Sequence, residues 1–423
     1  MMAAVLEDVL RTGGITSRFQ PIVDLETRAV VAYEALARGP EGSVLESPRA
    51  LLHAAEELGL LAETDWACRE AAVAGALTGG LEPPTVLFLN VEPDVLDAPA
   101  PGPVGLWDQA RRRLRVVLEV KEEALTAQPA ELLHLVSWMR ELGWGVAVDD
   151  VGAQSGSLAL LPLIRPDVIK LDMRVVQERL SAELAEVVNA VTAQEESSGV
   201  VVVAKGIENE QHLATALAVG ARYGQGRFLG RPERLPRPLP ATGDGLDLVR
   251  AAPPEVSGAP FDLLKREATV RRAPKRMVYS ISRHLERQAA GLGRGAIVLT
   301  TFEGKHLFGE ATQRRYAAMA KDAALVAAIG PGLGADPAPG VRGSRTGDDD
   351  PTLSDWSVIV IGHHFAAALA SRGLDHDGRP DLERERDFLV TYDRAHVIEA
   401  ASLLLGKLLP LSVRELPELS ALP

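Results

Sequence analysis

The 423-residue sequence has one cysteine, few aromatics, a deficit of basic charge and no long apolar run. The single cysteine, Cys68, excludes an internal disulfide and a cysteine-based zinc site, and fits a reducing cytoplasm. Cys68 lies in "TDWACREAAVAGAL", an amphipathic helical stretch, and reads as a small core residue. Aromatics are 4% of residues against 46% hydrophobic overall, so the core must be built from Ala, Val and Leu. The net charge of -13 excludes nonspecific nucleic-acid binding, which needs a basic surface. A small nucleotide ligand remains compatible with it. No stretch approaches the ~20 uninterrupted apolar residues of a spanning helix. The N-terminal "MMAAVLEDVLRTGG" carries two acids and no apolar core, unlike a signal peptide. The expectation is a cytoplasmic protein without a membrane span.

What is present is a repeated change of period. The runs "VVAYEAL", "TVLFLNV", "LRVVLEV", "GVAVDDV", "DVIKLDM" and "GVVVVAKG" read as strands, and helical stretches separate most of them. "SPRALLHAAEELGLL" has helical apolar spacing, with Ser47 as N-cap and Pro48 at the first helical position. "PAELLHLVSWMRELG" ends at Gly143. "VVQERLSAELAEVVNAVTAQEESS" reads as one longer helix. Alternation over ~200 residues predicts a parallel α/β sheet or barrel. Pro- and Gly-rich segments at 230–245 and 250–260 read as a linker.

A second mixed α/β module then begins. It is expected to hold a basic helix ("KREATVRRAPKRMVYSISRHLERQ") and a strand ("AIVLTTF"). A helix ("EATQRRYAAMAKDAALVAAIG") and a long loop (330–351) follow. A strand ("WSVIVIGHHF") and a helix ("AHVIEAASLLLGKLL") complete it. His363 and His364 read as a strand-to-helix turn, with Phe365 starting a helix, in preference to a metal site. "GDDDP" reads as a solvated loop.

Several of the first module's strands end in polar groups: Glu34, Asn90, Glu119, the pair Asp149-Asp150, Lys170 and Lys205. Glu122 follows Glu119, and Gln225 lies in "YGQGRF". In a barrel of parallel strands the C-terminal strand ends share one face, where active sites lie. Acids converging there repel one another unless a hard cation sits among them. Oxygen donors suit Mg²⁺ or Mn²⁺, and two such ions are a common apparatus for phosphodiester hydrolysis. A lone acid at a strand end is more often a helix cap or a solvated group. The adjacent pair after "WGVAV" demands a positive partner more strongly. A lysine at the end of the buried run "VVVVAK" is costly unless paired.

With these motifs in this order ("FQPIVDLETRAVVAYEALAR", "LFLNVEP", "LEVKEEAL", "VAVDDVG", "PDVIKLDM", "GARYGQGRFLGRP"), residues 15–233 resemble the EAL domain, the cyclic-di-GMP phosphodiesterase family. The resemblance implies a modified TIM-type barrel, so the expected domains are that barrel over 1–233, the linker over 234–259 and the smaller mixed α/β domain over 260–415. It implies metal-dependent opening of cyclic-di-GMP to linear pGpG. By the same resemblance Glu34, Asn90, Glu119, Asp149 and Asp150 match metal ligands, and the cofactor would be Mg or Mn. Lys170 matches the lysine that touches the attacking water or the phosphate. Gln20, Pro21, Arg38 and Gln225 match ligand-binding positions. Glu122 matches the glutamate that supports the loop after the paired aspartates. Glu208 keeps the second acid of the family's "AEGVE".

Two departures from the family pattern stand out. Lys205 in "AKGIE" replaces a catalytic glutamate. "DDVGAQSGS" replaces "DDFGTGYSS", with Val151, Ala153, Gln154, Ser155 and Gly156 all changed. The expectation is an EAL protein that binds cyclic-di-GMP or a partner with weak or absent hydrolysis. The alternatives are an active phosphodiesterase, with Glu208 or Asp150 standing in for the missing acid, and a scaffold without nucleotide binding. A homodimer through the barrel is common in the family, though the changed loop weakens that expectation. The second module ("SISRHLERQ", "TTFEGKHLFGEATQRRYAAMA", "DWSVIVIGHHFAAALASRG") resembles a DICT sensory domain.

Overall fold

The computed structural model describes residues 2–95, 104–153, 157–179, 181–240, 245–248, 257–344, 347, 350–374 and 380–409. These fall into two compact units. The first holds eight strands: β1 (Thr16–Asp24), β2 (Val30–Arg38), β3 (Val86–Val91), β4 (Arg115–Lys121), β5 (Gly145–Val151), β6 (Val168–Leu171), β7 (Val201–Ala204) and β8 (Tyr223–Gly224). They close into a barrel in chain order.

β2 to β8 pair in parallel, as the alternating pattern predicts. β1 does not: it runs antiparallel to both β2 and β8. The reason is local. A parallel pair needs a long crossover, whereas β1 and β2 are joined by the tight turn at 25–29. Asp24 Oδ1 fastens that turn, accepting from Glu26 N at 3.1 Å and Thr27 N at 2.9 Å. Arg28 takes the left-handed conformation there, φ 63°.

The helix Pro48–Glu57 is capped as expected, with Ser47 Oγ accepting from Ala50 N at 3.2 Å. Helix Pro129–Leu142 ends before Gly143, φ 75°. The long helix expected after β6 is two helices, Met173–Gln177 and Ala182–Ser198. Glu178 is extended, and Ser181 Oγ starts the second helix by accepting from Leu184 N. A serine satisfies a free helix end better than it serves a helix interior.

The barrel interior is apolar at its lower level. Ile22, Ala32, Phe88, Val117, Ala147, Val168, Val203 and Tyr223 form one cluster. Leu246, from the expected linker, joins this cluster at 1% exposure, and Arg115 Nη2 holds its carbonyl at 3.1 Å. Cys68 packs against a separate cluster around Leu6 and Leu51, and burial pushes its thiol up to about 12.

The second unit is a six-stranded sheet in the order β11-β10-β12-β13-β14-β9. Its strands are β9 (Arg271–Pro274), β10 (Ile297–Thr301), β11 (Leu325–Ile329), β12 (Trp356–Ile361), β13 (Ala366–Gly373) and β14 (Glu385–Thr391). Three sequence expectations change here. "AAALASRG" is strand β13, so His363 and His364 lie in the hairpin loop between β12 and β13, and Phe365 starts no helix. "ALVAAIG" is strand β11, not the end of a helix: the helix stops at Met319. The basic helix begins only at Lys275, after the edge strand β9. Alanine favours helix in isolation. Here full burial of Ala367–Ala370 and of Ala327 and Ala328 in a central sheet overrides propensity. Of the "GDDDP" acids, Asp350 caps the turn at Thr352 and pairs with Lys407 at 2.8 Å. Asp348 and Asp349, like residues 410–415 of the expected second domain, lie outside the described residues.

Candidate functional site

Side chains two residues apart on a strand share a face. Each apolar residue of the interior cluster therefore predicts a partner one layer above it. Ala32 lies below Glu34, Phe88 below Asn90, Val117 below Glu119, Ala147 below Asp149, Val168 below Lys170 and Val203 below Lys205. Tyr223 precedes Gln225 by the same step. β1 runs the other way, so Ile22 lies below Gln20. One period of two thus carries eight polar residues to one end of the barrel.

Two ammonium groups organise them. Lys170 Nζ is fully buried, 2.8 Å from Glu34 Oε2 and 2.5 Å from Glu119 Oε1. Lys205 Nζ donates to both oxygens of Asp149 at 2.8 Å and to Asp150 Oδ1 at 2.6 Å. Glu34 also accepts from Gln225 Nε2 at 2.7 Å and Asn90 Nδ2 at 3.1 Å. Gln225 reaches Gln20 Oε1 at 3.4 Å, and Gln20 donates to the Gly230 carbonyl at 3.1 Å.

Burial opposes ionisation of Glu34, but the charges of Lys170 and Lys205 outweigh it and bring the carboxyl down to about 2. Glu119 goes the other way. Burial, then the charge of Glu34, push it well above the usual carboxylate range despite Lys170. Burial also works against the Lys205 ammonium, yet Asp149 above all holds it charged beyond the usual lysine range.

The loop after the paired aspartates begins with backbone strain. The pairing register of β5 on β6 slips between Val148 and Val151, and Asp150 takes φ 56°, uncommon for a residue other than glycine. Glu122 supports it: its N–H donates to the Asp149 carbonyl at 2.9 Å and its Oε2 accepts from Gly152 N at 3.1 Å. Of the changed loop residues, Gln154, Ser155 and Gly156 lie outside the described residues.

Two expected site residues bond elsewhere. Arg38 Nη1 donates to the carbonyl of Ala37 at 2.7 Å, on its own strand. Glu208 pairs with Arg227 at 2.6 Å. Pro21 lies half-buried against Gly230, where a Cβ would come within 2.3 Å of its Cγ. Gly226, next to Gln225, is fixed more tightly. A Cβ there would lie 2.0 Å from the Ile207 carbonyl oxygen. Gly226→Ala is expected to destabilise the barrel by about 1–3 kcal/mol, read as a lower urea midpoint with an unchanged slope.

A supporting network escaped the sequence reading. Asp65 and Arg69 form a buried pair at 2.5 Å, Asp65 Oδ1 accepts from Glu92 N at 3.3 Å, and Glu92 pairs with Lys121 at 3.1 Å. Burial raises the Asp65 carboxyl to about 6. The i,i+4 spacing of Asp65 and Arg69 was its sequence signal.

The oxygens of Glu34, Asn90, Glu119, Asp149 and Asp150 are the right kind for a hard cation. Their arrangement fits a pair of divalent ions poorly, because Lys205 already bonds three carboxylate oxygens and Lys170 two acids. Among the described residues no group of three or more His, Cys, Asp or Glu is placed to hold a metal ion.

Comparison with known proteins follows the same outline. An uncharacterised protein, y4lL, of Sinorhizobium fredii is 31% identical over 240 residues, 55% of this chain and 28% of that protein. Cyclic di-GMP phosphodiesterase RocR of Pseudomonas aeruginosa is 28% identical over 240 residues, 53% of this chain and 60% of RocR. The match thus spans less than two thirds of either relative. Among solved structures, the FimX EAL domain of P. aeruginosa bound to c-di-GMP is 24% identical, covering 55% of this chain and 96% of that one, with a TM-score of 0.47. The EAL domain model matches residues 3–232, more than half of the sequence. The chain belongs to the EAL domain family.

Proposed function

We propose that the barrel binds cyclic-di-GMP and hydrolyses it weakly or not at all, and that it passes a signal between this site and the second unit. The observation that carries this reading is the ammonium of Lys205 on three oxygens of Asp149 and Asp150. In that position it does part of the work of a cation, neutralising the acids. It also repels a second divalent ion. A positive group in a ring of acids still favours a bisphosphate ligand.

On this reading Gln20, Pro21, Arg38 and Gln225 bind the dinucleotide, with Arg38 turning from its own strand to a phosphate. Glu34, Asn90 and Glu119 would retain at most one Mg or Mn ion, and Lys170 would touch the phosphate. The second unit acts as a DICT-like sensory module, a reading supported by the motifs quoted above. No helix among the described residues is long and apolar enough to cross a membrane, which is consistent with a cytoplasmic place of action. A barrel-mediated homodimer belongs to the same proposal.

A second reading, an active phosphodiesterase, draws on the retained Glu34, Asn90, Glu119 and Lys170 and on relatives such as RocR. The pairing of Glu208 with Arg227 favours it less.

Calorimetry of the full chain with cyclic-di-GMP, with and without Mg²⁺ or Mn²⁺, combined with detection of pGpG, tests the proposal. Heat of binding without product is the expected result. Turnover of roughly one per second or more, lost in Glu34→Ala, overturns it in favour of the enzyme. Absence of heat at high micromolar ligand overturns it in favour of a scaffold.

A further inference from the structure

The second unit contains a cavity of about 290 Å³ between helix Lys275–Leu292, helix Glu310–Met319 and β10. Its base is apolar: Val298 is fully buried, Ala289 2% exposed and Met319 9% exposed. Small residues such as Ala290 and Ala318 and five charged groups complete the lining. Three guanidiniums, of Arg283, Arg287 and Arg315, share the cavity with two carboxylates, of Glu286 and Asp322.

One of those carboxylates is already committed. Glu286 is 4% exposed and receives Arg315 Nε at 2.6 Å, the Tyr316 hydroxyl at 3.3 Å and Ser282 Oγ at 3.4 Å. Tyr316 spends its only proton on Glu286, so the Thr300 hydroxyl at 2.9 Å donates to it. This buried chain fixes Arg315. Arg283 reaches Glu286 only at 3.5 Å. Arg287 is exposed and makes no ion pair among the described residues. In a chain of net charge -13 the cavity is therefore a local excess of positive charge over an apolar base. Apolar walls with a few placed polar groups are the usual makeup of a small-ligand site.

We propose that this cavity binds a small organic anion with an apolar body. Arg287 and Arg283 hold its carboxylate or phosphate, and Ala290, Val298 and Met319 receive the body. This stands independently of what the barrel does, and it gives the second unit a ligand class to sense.

The test uses the full chain and 8-anilinonaphthalene-1-sulfonate, an apolar body carrying one anionic group, followed by fluorescence. The expected result is one saturable site per chain. Arg287→Glu, at an exposed position, weakens it about tenfold or more, the loss of one charge-assisted contact. Ala290→Trp, also exposed, fills the cavity and abolishes it, with circular dichroism and Tm unchanged. Octanoate and hexyl phosphate serve as competitors, and displacement by either supports the site and ranks the two head groups. Non-saturable binding, an affinity unaltered by both variants, or displacement by octanol as effective as by octanoate overturns the proposal.

Discussion

Lys205→Glu is expected to raise pGpG formation in Mg²⁺ or Mn²⁺ by roughly 10²- to 10⁴-fold, the range attributed to a positioned acid or base. The substitution swings the charge beside Asp149 and Asp150 by two units. One unit pair at ~4 Å and an effective dielectric of ~20 is worth about 4 kcal/mol, so removing the ammonium alone changes cation affinity greatly. Lys205→Gln separates the two effects. It removes the repulsion without supplying an acid, so it should gain Mn²⁺ binding, read by electron paramagnetic resonance, with little gain in turnover. If Lys205→Glu binds Mn²⁺ and stays inactive, the altered loop at 151–156 is a second lesion. If neither variant binds Mn²⁺ better than the parent chain, the ammonium is not the barrier and the proposed role of Lys205 fails.

The ring was legible because its polar groups close apolar runs. Glu34, Asn90, Glu119, Asp149, Lys170 and Lys205 each stand at or near the end of a short, largely apolar strand, and in a parallel barrel those ends share one face before any contact is known. What the pattern leaves open is which polar group bonds which. Lys170 bridges Glu34 and Glu119 from across the barrel, and Asn90 donates to Glu34 from the neighbouring strand. Strand direction was also beyond the pattern. β1, "TSRFQPIVD", is not among the apolar runs that read as strands, and the five-residue turn before β2 sets its antiparallel direction. The Ala-rich runs of β11 and β13 mislead because alanine carries a helical preference that sheet burial cancels. The buried pair Asp65 and Arg69 reads from sequence as an exposed helical ion pair, since spacing carries no measure of depth.

Lys170→Met should destabilise the barrel by about 3–5 kcal/mol at pH 7, the cost of stranding buried charge. For a unit of this size that corresponds to a fall in Tm on the order of 10 °C. The methionine keeps most of the lysine's volume, so the loss is mainly electrostatic. It leaves Glu34 and Glu119, 6% and 1% exposed, without the ammonium between them. The pH dependence separates this cause from packing. In the parent chain Glu34 has its folded value depressed to about 2. Its contribution is present above the ordinary value of about 4.3 and is lost as pH falls through about 2. Glu119 is raised, so its contribution is fully present below about 4.3 and is lost as pH rises through its folded value. Without Lys170 both carboxyls are pushed upward by burial. The variant then loses stability as pH rises above about 4.3, where the parent chain still holds Glu34 ionised beside a cation. The difference in Tm should be largest near neutral pH and shrink as the pH is lowered toward about 4. A difference that stays constant from neutral pH to about 4 would mean that Lys170 acts by filling space, and that its ammonium does not hold the two acids together.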